Sequence, residues 1–355
     1  MQYVWINNVA KMSDDFTFIH VHDIFDKKIE PNSLPENVTT LTFGYYFNQK
    51  LGPNSLPKNL TTLTFGSDFN QKLEQYSLPK NLTTLTFGCY FKQKIKPNTL
   101  PENLASLMFG IFFNQKIEPN TLPENLTTLT FGYYFNQKIE PNTLPKNLTI
   151  LIFGCYFNQG IKPNTLPKNL TTLTFSWCFN QKIEPNTLPD NLTTLTFGYN
   201  FNQILEPNTL PDNLTSITFG NRFNQKIEPN TLPVNLTTLT FGSCFNRGID
   251  SIMLPSNLKT INFNWLLFDN NKAIKFIEMV DNIPIYRVNM FVNRNIFGVN
   301  GSKWPIHVIN YRENKWSSKI YEIQNKYIHP DHGHITILIN KETYQPYSFA
   351  KSALK

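Results

Sequence analysis

Residues 113–134 read FNQKIEPNTLPENLTTLTFGYY, and near-copies of this unit fill the chain from residue 25 to residue 266. Leu-Pro pairs begin at residues 34, 56, 78, 100, 122, 144, 166, 188, 210, 232 and 254, a spacing of 22 without insertion. A phenylalanine opens each unit, from Phe25 and Phe47 through to Phe245. A fixed period of this length means that every unit has one shape and stacks on its neighbours, because so short a unit cannot bury an apolar face alone. The pattern Leu126-x-x-Leu129-x-Phe131 carries the two-residue alternation of a strand, with Thr128 and Thr130 on the opposite face. Gly132 ends the strand, and Phe135, Ile139 and Leu144 return at wider spacing to fill the core behind it. Pro141 and Pro145, four apart, exclude a helix from the return path. The expected fold is a parallel β-solenoid, leucine-rich-repeat-like, of eleven 22-residue units with one strand each, followed by a small α/β C-terminal region. At about 4.7–4.9 Å per stacked strand, eleven rungs extend roughly 50 Å.

The rest of the composition narrows the function classes. The chain has 355 residues, of which 40% are hydrophobic and only 16% charged, so it holds enough apolar material for a core and too little charge for a disordered chain. No apolar run approaches the roughly 20 residues that span a bilayer, and the start MQYVWINNVAKMSDD lacks the pattern of a signal peptide. The net charge is +7, but no dense Lys/Arg run occurs, which argues against nucleic acid as the partner. Cys89, Cys155, Cys178 and Cys244 form no CxxC pair and are read as free thiols in a reducing compartment.

One asparagine position is filled in all eleven units, from Asn37 and Asn59 through Asn125 to Asn257. It is either a turn residue in the left-handed region or a ladder of amides bonding backbone from rung to rung. Nine of these residues also open an N-x-T sequence, which the repeat already explains without glycosylation.

The unit FNQKIEPNTLPENLTTLTFG resembles the FNIP repeat, a 22-residue relative of leucine-rich repeats abundant in social amoebae and in giant viruses of amoebae. Phe-Asn, Leu-Pro, Asn-Leu and Leu-x-Phe-Gly recur at that family's spacing over 25–266. Some members carry an F-box or a kinase domain. The 24 residues ahead of this array are short for an F-box, and no Gly-rich loop, HRD or DFG pattern occurs. The resemblance therefore implies a repeat-only interaction protein without catalytic residues or cofactor. The free thiols and the lack of a signal-peptide pattern lead to the cytoplasm as the expected compartment, that of the host if the protein is viral.

Two faces of the array are candidate surfaces. On the strand face, Thr-x-Thr recurs in seven units, including Thr128 and Thr130, and stacks into two hydroxyl columns. Such columns order water only on a flat sheet, and Ser106/Met108 and Ile150/Ile152 interrupt them. The second face is the pair of variable positions after the strand glycine. It reads Tyr45-Tyr46, Ser67-Asp68, Cys89-Tyr90, Ile111-Phe112, Tyr133-Tyr134, Cys155-Tyr156, Trp177-Cys178, Tyr199-Asn200, Asn221-Arg222 and Ser243-Cys244. Variation confined to two positions of a rigid frame suits recognition, and aromatic residues supply contact area at low entropic cost. The expected binding residues are Tyr45, Tyr46, Tyr90, Tyr133, Tyr134, Tyr156, Trp177 and Tyr199, with Thr128 and Thr130. The alternative is that one member of each pair is buried as irregular filling. The first member is expected to be the more exposed. Lys138, Glu140 and their counterparts are expected to stack like on like along a solvated edge.

The ends depart from the repeat. Residues 1–24 are expected to cap the array, with FTFIHV at 16–21 forming a half rung and Tyr3, Val4, Trp5 and Ile6 covering it. After residue 266 the pattern predicts a helix over 270–281, strands near 285–291 and 305–311, a second helix near 316–328 and a strand over 334–340. His329, His332 and His334 sit within six residues and are weak candidates for a metal, because Pro330 and Gly333 make the segment a turn. The resulting expectation is a non-enzymatic scaffold for an unknown protein partner, with no membrane contact and no oligomeric state specified. An adaptor for a ubiquitin ligase and a metal-dependent enzyme using the histidine cluster are the alternatives.

Overall fold

The computed structural model describes residues 17–247, residue 249 and residues 253–263, together with the backbone strands at 287–291, 305–312, 315–322 and 334–338. The chain divides into two compact units, Met1–Leu192 and Thr193–Lys355.

In the first unit, eight short strands stack in parallel and in sequence order. They are β1 (Phe18–His20), β2 (Thr40–Thr42), β3 (Thr62–Thr64), β4 (Thr84–Thr86), β5 (Ser106–Met108), β6 (Thr128–Thr130), β7 (Ile150–Ile152) and β8 (Thr172–Thr174). Each residue pairs with the one 22 positions on, as Leu107 with Leu129 and Leu129 with Leu151. Ile19 pairs with Leu41, so the half rung expected at 16–21 is present in that register. The expected cover at Tyr3–Ile6 lies outside the described residues.

In the second unit, β9 (Thr194–Thr196), β10 (Ser216–Thr218), β11 (Thr238–Phe241) and β12 (Thr260–Phe263) stack in parallel with the same 22-residue register. There β13 (Arg287–Phe291) adds in parallel to β12, and β16 (His334–Leu338) adds antiparallel to β13. Between them, β14 (Pro305–Arg312) and β15 (Lys315–Glu322) form a hairpin closed by two residues. The helix expected near 316–328 is thus a strand over Lys315–Glu322. The spacing of Ile320, Ile323 and Tyr327 suits a helix, but a β-branched partner strand across a two-residue connection outweighs that weak local period. The helix expected over 270–281 lies outside the described residues. Both units are parallel β-solenoids built on one 22-residue turn of the leucine-rich-repeat kind.

Three β-turns explain how one rung closes without a helix. Thr143 N–H donates to the Glu140 carbonyl at 3.2 Å, and Asn142 between them has φ 64°. Proline followed by a left-handed residue is a type II turn, the geometry that Glu-Pro-Asn-Thr favours. Leu148 N–H donates to Pro145 O at 3.2 Å, and Phe135 N–H to Gly132 O at 3.1 Å, forming the other two. The left-handed residue is therefore the asparagine of Pro-Asn-Thr. Tyr76 stands at this position in one unit, with φ 65° and a side chain exposed to solvent. The asparagine filled in all units has the other of its two expected roles. Asn125 Nδ2 donates to Glu102 O, and Asn169 Nδ2 to Lys146 O, each at 3.0 Å from one rung to the one before.

A second amide ladder runs along the Phe-Asn-Gln segment. Asn158 N–H and Gln159 Nε2 both donate to Asn136 Oδ1, at 3.0 and 3.1 Å. Lys92 interrupts it. Lys92 N–H still donates to Asn70 Oδ1, but lysine returns no amide oxygen to Asn114 in the next rung.

Inside each rung Leu126, Leu129, Phe131, Phe135, Ile139 and Leu144, or their equivalents, are buried. Burying one such side chain contributes about 1.5–3 kcal/mol. Phe131 and Phe135 stack with centroids 3.8 Å apart, and each lies over its counterpart one rung away, as Phe109–Phe131 at 5.8 Å and Phe113–Phe135 at 6.2 Å. The strand glycine permits this close stacking, because a Cβ on Gly132 would fall on the Gly110 carbonyl. The charged edge is not simply like on like. Glu118 accepts from Lys94 of the preceding rung at 3.2 Å and pairs with Lys116 of its own at 3.5 Å, which lowers its pKa.

Candidate functional site

The two variable residues of each unit are the central pair of the Gly-x-x-Phe turn that follows the strand. The turn is closed by its own hydrogen bond, and the second member's N–H donates back to the first member's carbonyl one rung earlier. Tyr134 N–H to Ile111 O at 3.0 Å and Tyr156 N–H to Tyr133 O at 2.9 Å are examples. Both side chains therefore leave a fixed backbone, and the core Phe that follows occupies the inside of the turn. Irregular filling is not what the pair does. Tyr45 and Tyr46 are 44% and 52% exposed, and Tyr133 and Tyr134 are 46% and 39% exposed. Nor is the first member consistently the outer one. Tyr90 and Tyr156 are exposed while Cys89 and Cys155 before them are half-buried, whereas Trp177 is exposed and Cys178 after it half-buried. The turn leaves neither position fully buried, and which member is the more exposed varies from rung to rung.

The second members of four successive rungs form a surface ladder of near-parallel rings. Tyr90–Phe112 and Phe112–Tyr134 lie 5.1 Å apart, and Tyr134–Tyr156 lies 5.0 Å apart. Their faces cover one another, so they offer ring edges and hydroxyls to a partner. Tyr133 packs edge-on against both Tyr134 and Tyr156. Lys92 Nζ stands 5.2 Å from the Phe112 ring centre, a cation–π contact. Tyr45 and Tyr46 form a separate edge-on pair at 4.8 Å. Burial, then the neighbouring Tyr90 and Asp68, raise the pKa of the Tyr45 hydroxyl. A hydrogen bond to Cys155 raises that of Tyr133. Both phenols stay neutral donors at physiological pH. Tyr199, in the second unit, is half-buried, with the Arg222 guanidinium 5.7 Å from its ring centre.

An open groove of about 560 Å³ runs beside this strip in the first unit. Gly66, Gly88, Gly110 and Gly132 line it, with Tyr45, Ile111 and Tyr133 from the variable positions and Met108 and Thr130 from the strand face. Thr128 and Thr130 are half-buried between the residues paired with them in the adjacent strands, Ser106 and Ile150 beside Thr128 and Met108 and Ile152 beside Thr130. Met108 stands where other units carry threonine and is 46% exposed. With Ile111 it makes the middle of the groove apolar. Sequence reasoning noted Met108 only as an interruption of the hydroxyl columns. An apolar residue at an outward position of a repeat was the available signal. His329 and His332 lie outside the described residues, and His334 opens β16. Among the described residues no helix is long and apolar enough to cross a membrane.

The FNIP repeat family matches residues 25–68, 69–112, 113–156, 135–178, 157–200, 179–222 and 223–264. Among solved structures, the chain is similar to CroV588, from a giant virus and described as a novel circular leucine-rich-repeat protein. The identity is 51% and the TM-score 0.71, over 72% of this chain and 38% of that one. The chain thus spans well under half the length of that neighbour. It also aligns at 13% identity and a TM-score of 0.40 with TLR13 in its complex with ssRNA13, over 78% of this chain and 54% of that one, a likeness too slight to carry an argument. No curated protein matches the chain.

Proposed function

The chain belongs to the FNIP-repeat family, and from that premise we propose that it is a non-enzymatic scaffold that holds a protein partner along its strand face and aromatic strip. Leucine-rich-repeat-like solenoids of this kind are typically non-catalytic scaffolds. The observation that carries the reading is the exposure of Tyr46, Tyr90, Tyr133, Tyr134, Tyr156 and Trp177 on turns whose backbone is locked to the neighbouring rung. Rigid, amphipathic aromatic side chains lose little entropy when a partner covers them. The apolar centre at Met108 and Ile111 supplies the buried anchor that such an interface requires. We place its action in the cytoplasm, a setting that suits four cysteines that are free in this structure.

Affinity purification of the full chain from its native cell tests this reading. The comparison is between the natural protein and a Tyr45→Ser, Tyr133→Ser, Tyr134→Ser variant with an unchanged circular dichroism spectrum. The partner is expected to be lost with the variant. Its retention in equal amount would remove the strip from the account.

A further inference from the structure

The variable pairs contain a recurring diagonal contact between the first member of one rung and the second member of the next, 23 residues on. On this diagonal, Tyr133 and Tyr156 have ring centres 5.3 Å apart. In the second unit, Tyr199 and Arg222 meet at 5.7 Å on the same diagonal. In each case the second member's N–H donates to the first member's carbonyl, which holds the two residues side by side on adjacent rungs. One diagonal, and only one in the repeat sequence, carries two cysteines: Cys155 and Cys178.

We propose that Cys155 and Cys178 are an oxidation site, forming a disulfide that staples two adjacent rungs at the Trp177 end of the aromatic strip. The geometry suits the bond. Cys178 N–H donates to Cys155 O at 2.9 Å, which sets the two Cα atoms roughly 5–6 Å apart, inside the range that disulfides span. Ser176 Oγ donates to Phe153 O at 2.8 Å and pins the same turn from its other side. Both thiols are half-buried at the surface and open to a small oxidant. Cys89 and Cys244 have no such partner, as their diagonals lead to Phe112 and Asn221.

The oxidant class is a low-molecular-weight disulfide such as oxidised glutathione. Burial, then Cys155 itself, push the Cys178 thiol pKa up, which makes Cys155 the first to react. Its thiolate attacks one glutathione sulfur, forms a mixed disulfide and releases one glutathione thiolate. Cys178 then loses its proton to solvent and attacks the Cys155 sulfur, releasing the second glutathione. The two protein thiols together give up two electrons and two protons, and one oxidised glutathione becomes two reduced ones. The link ties the rung that bears Trp177 to the rung that bears Tyr156, both exposed residues of the strip.

The test exposes the folded full chain to oxidised glutathione and maps it by peptide mass spectrometry without reduction. The expected result is a linked Cys155–Cys178 peptide in monomeric protein, the loss of two of the four titratable thiols, and full reversal by dithiothreitol. A Cys89→Ser, Cys244→Ser variant should behave identically. Ser67 and Ser243 occupy the equivalent first position in other rungs, so a Cys155→Ser variant is expected to fold and to lose the link. Separate glutathionylation of the two residues, a dimer linked between chains, or four thiols still free would each overturn the proposal.

Discussion

Two ladders of aromatic rings climb the first unit, one inside the rung and one outside it. The inner pair of columns runs through Phe131 and Phe135, with neighbours at 5.8 and 6.2 Å, and the outer column through Phe112, Tyr134 and Tyr156 at 5.0–5.1 Å. The rung repeat dictates both spacings, so geometry alone does not separate them. Enclosure does. Inner rings are covered from every side, and every unit must present a phenylalanine of the same volume or open a cavity in a close-packed interior. Outer rings touch one another but lack a second layer. That position can become Asp68, Cys178 or Arg222 without unravelling the stack. A frame that is insensitive to two of its 22 positions leaves those two free to be selected for binding.

The sharpest break between the ladders is Phe131→Ala. It should lower unfolding free energy by about 3–5 kcal/mol, because the truncated ring leaves a cavity against Phe109, Phe135 and Phe153. Urea unfolding measures it, and a loss below about 1 kcal/mol would mean that the inner ladder is not the load of the fold. Gly132→Ala comes next, at about 2 kcal/mol, since its new methyl meets the Gly110 carbonyl. Gly132→Ser should cost less than Gly132→Ala, because Ser176 at the equivalent position recovers a hydrogen bond to Phe153 O. Tyr134→Ser in the outer ladder should cost about 1 kcal/mol, the value of its ring contacts without a cavity. Lys92→Asn sits between the ladders and should act in the opposite direction. It restores the missing amide acceptor for Asn114 while removing the cation over Phe112, a net gain of about 0.5 kcal/mol visible as a slightly higher melting temperature.

The inner ladder was legible in the sequence because burial imposes identity. Leu126, Leu129 and Phe131 recur at fixed spacing, and β6 lies where their alternation places it. Local chemistry was legible only in part. Pro-Asn-Thr signals a type II turn, yet which of two recurrent asparagines takes the left-handed conformation depends on the hydrogen bond that closes the turn, and spacing does not reveal it. Exposure within the variable pair was misjudged for a related reason. Alternation applies to extended backbone, and at Tyr133-Tyr134 the chain turns, so both side chains face outward. The strand at Lys315–Glu322 was read as a helix because its partner β14 contributes through pairing, which a periodicity within one segment cannot register. Met108 escaped the list of binding residues because it breaks a pattern, whereas the groove it helps to form exists only once neighbouring rungs are stacked.

The division of labour between the ladders is tested most directly by one paired measurement on the full chain. The Tyr45→Ser, Tyr133→Ser, Tyr134→Ser variant and the natural protein are compared for melting temperature and for affinity toward the partner that the natural protein recovers. The account predicts a shift of only a few degrees in melting together with at least a tenfold loss of affinity, about 1.4 kcal/mol or more. Unchanged affinity in a folded variant would contradict it and would move recognition off the aromatic strip.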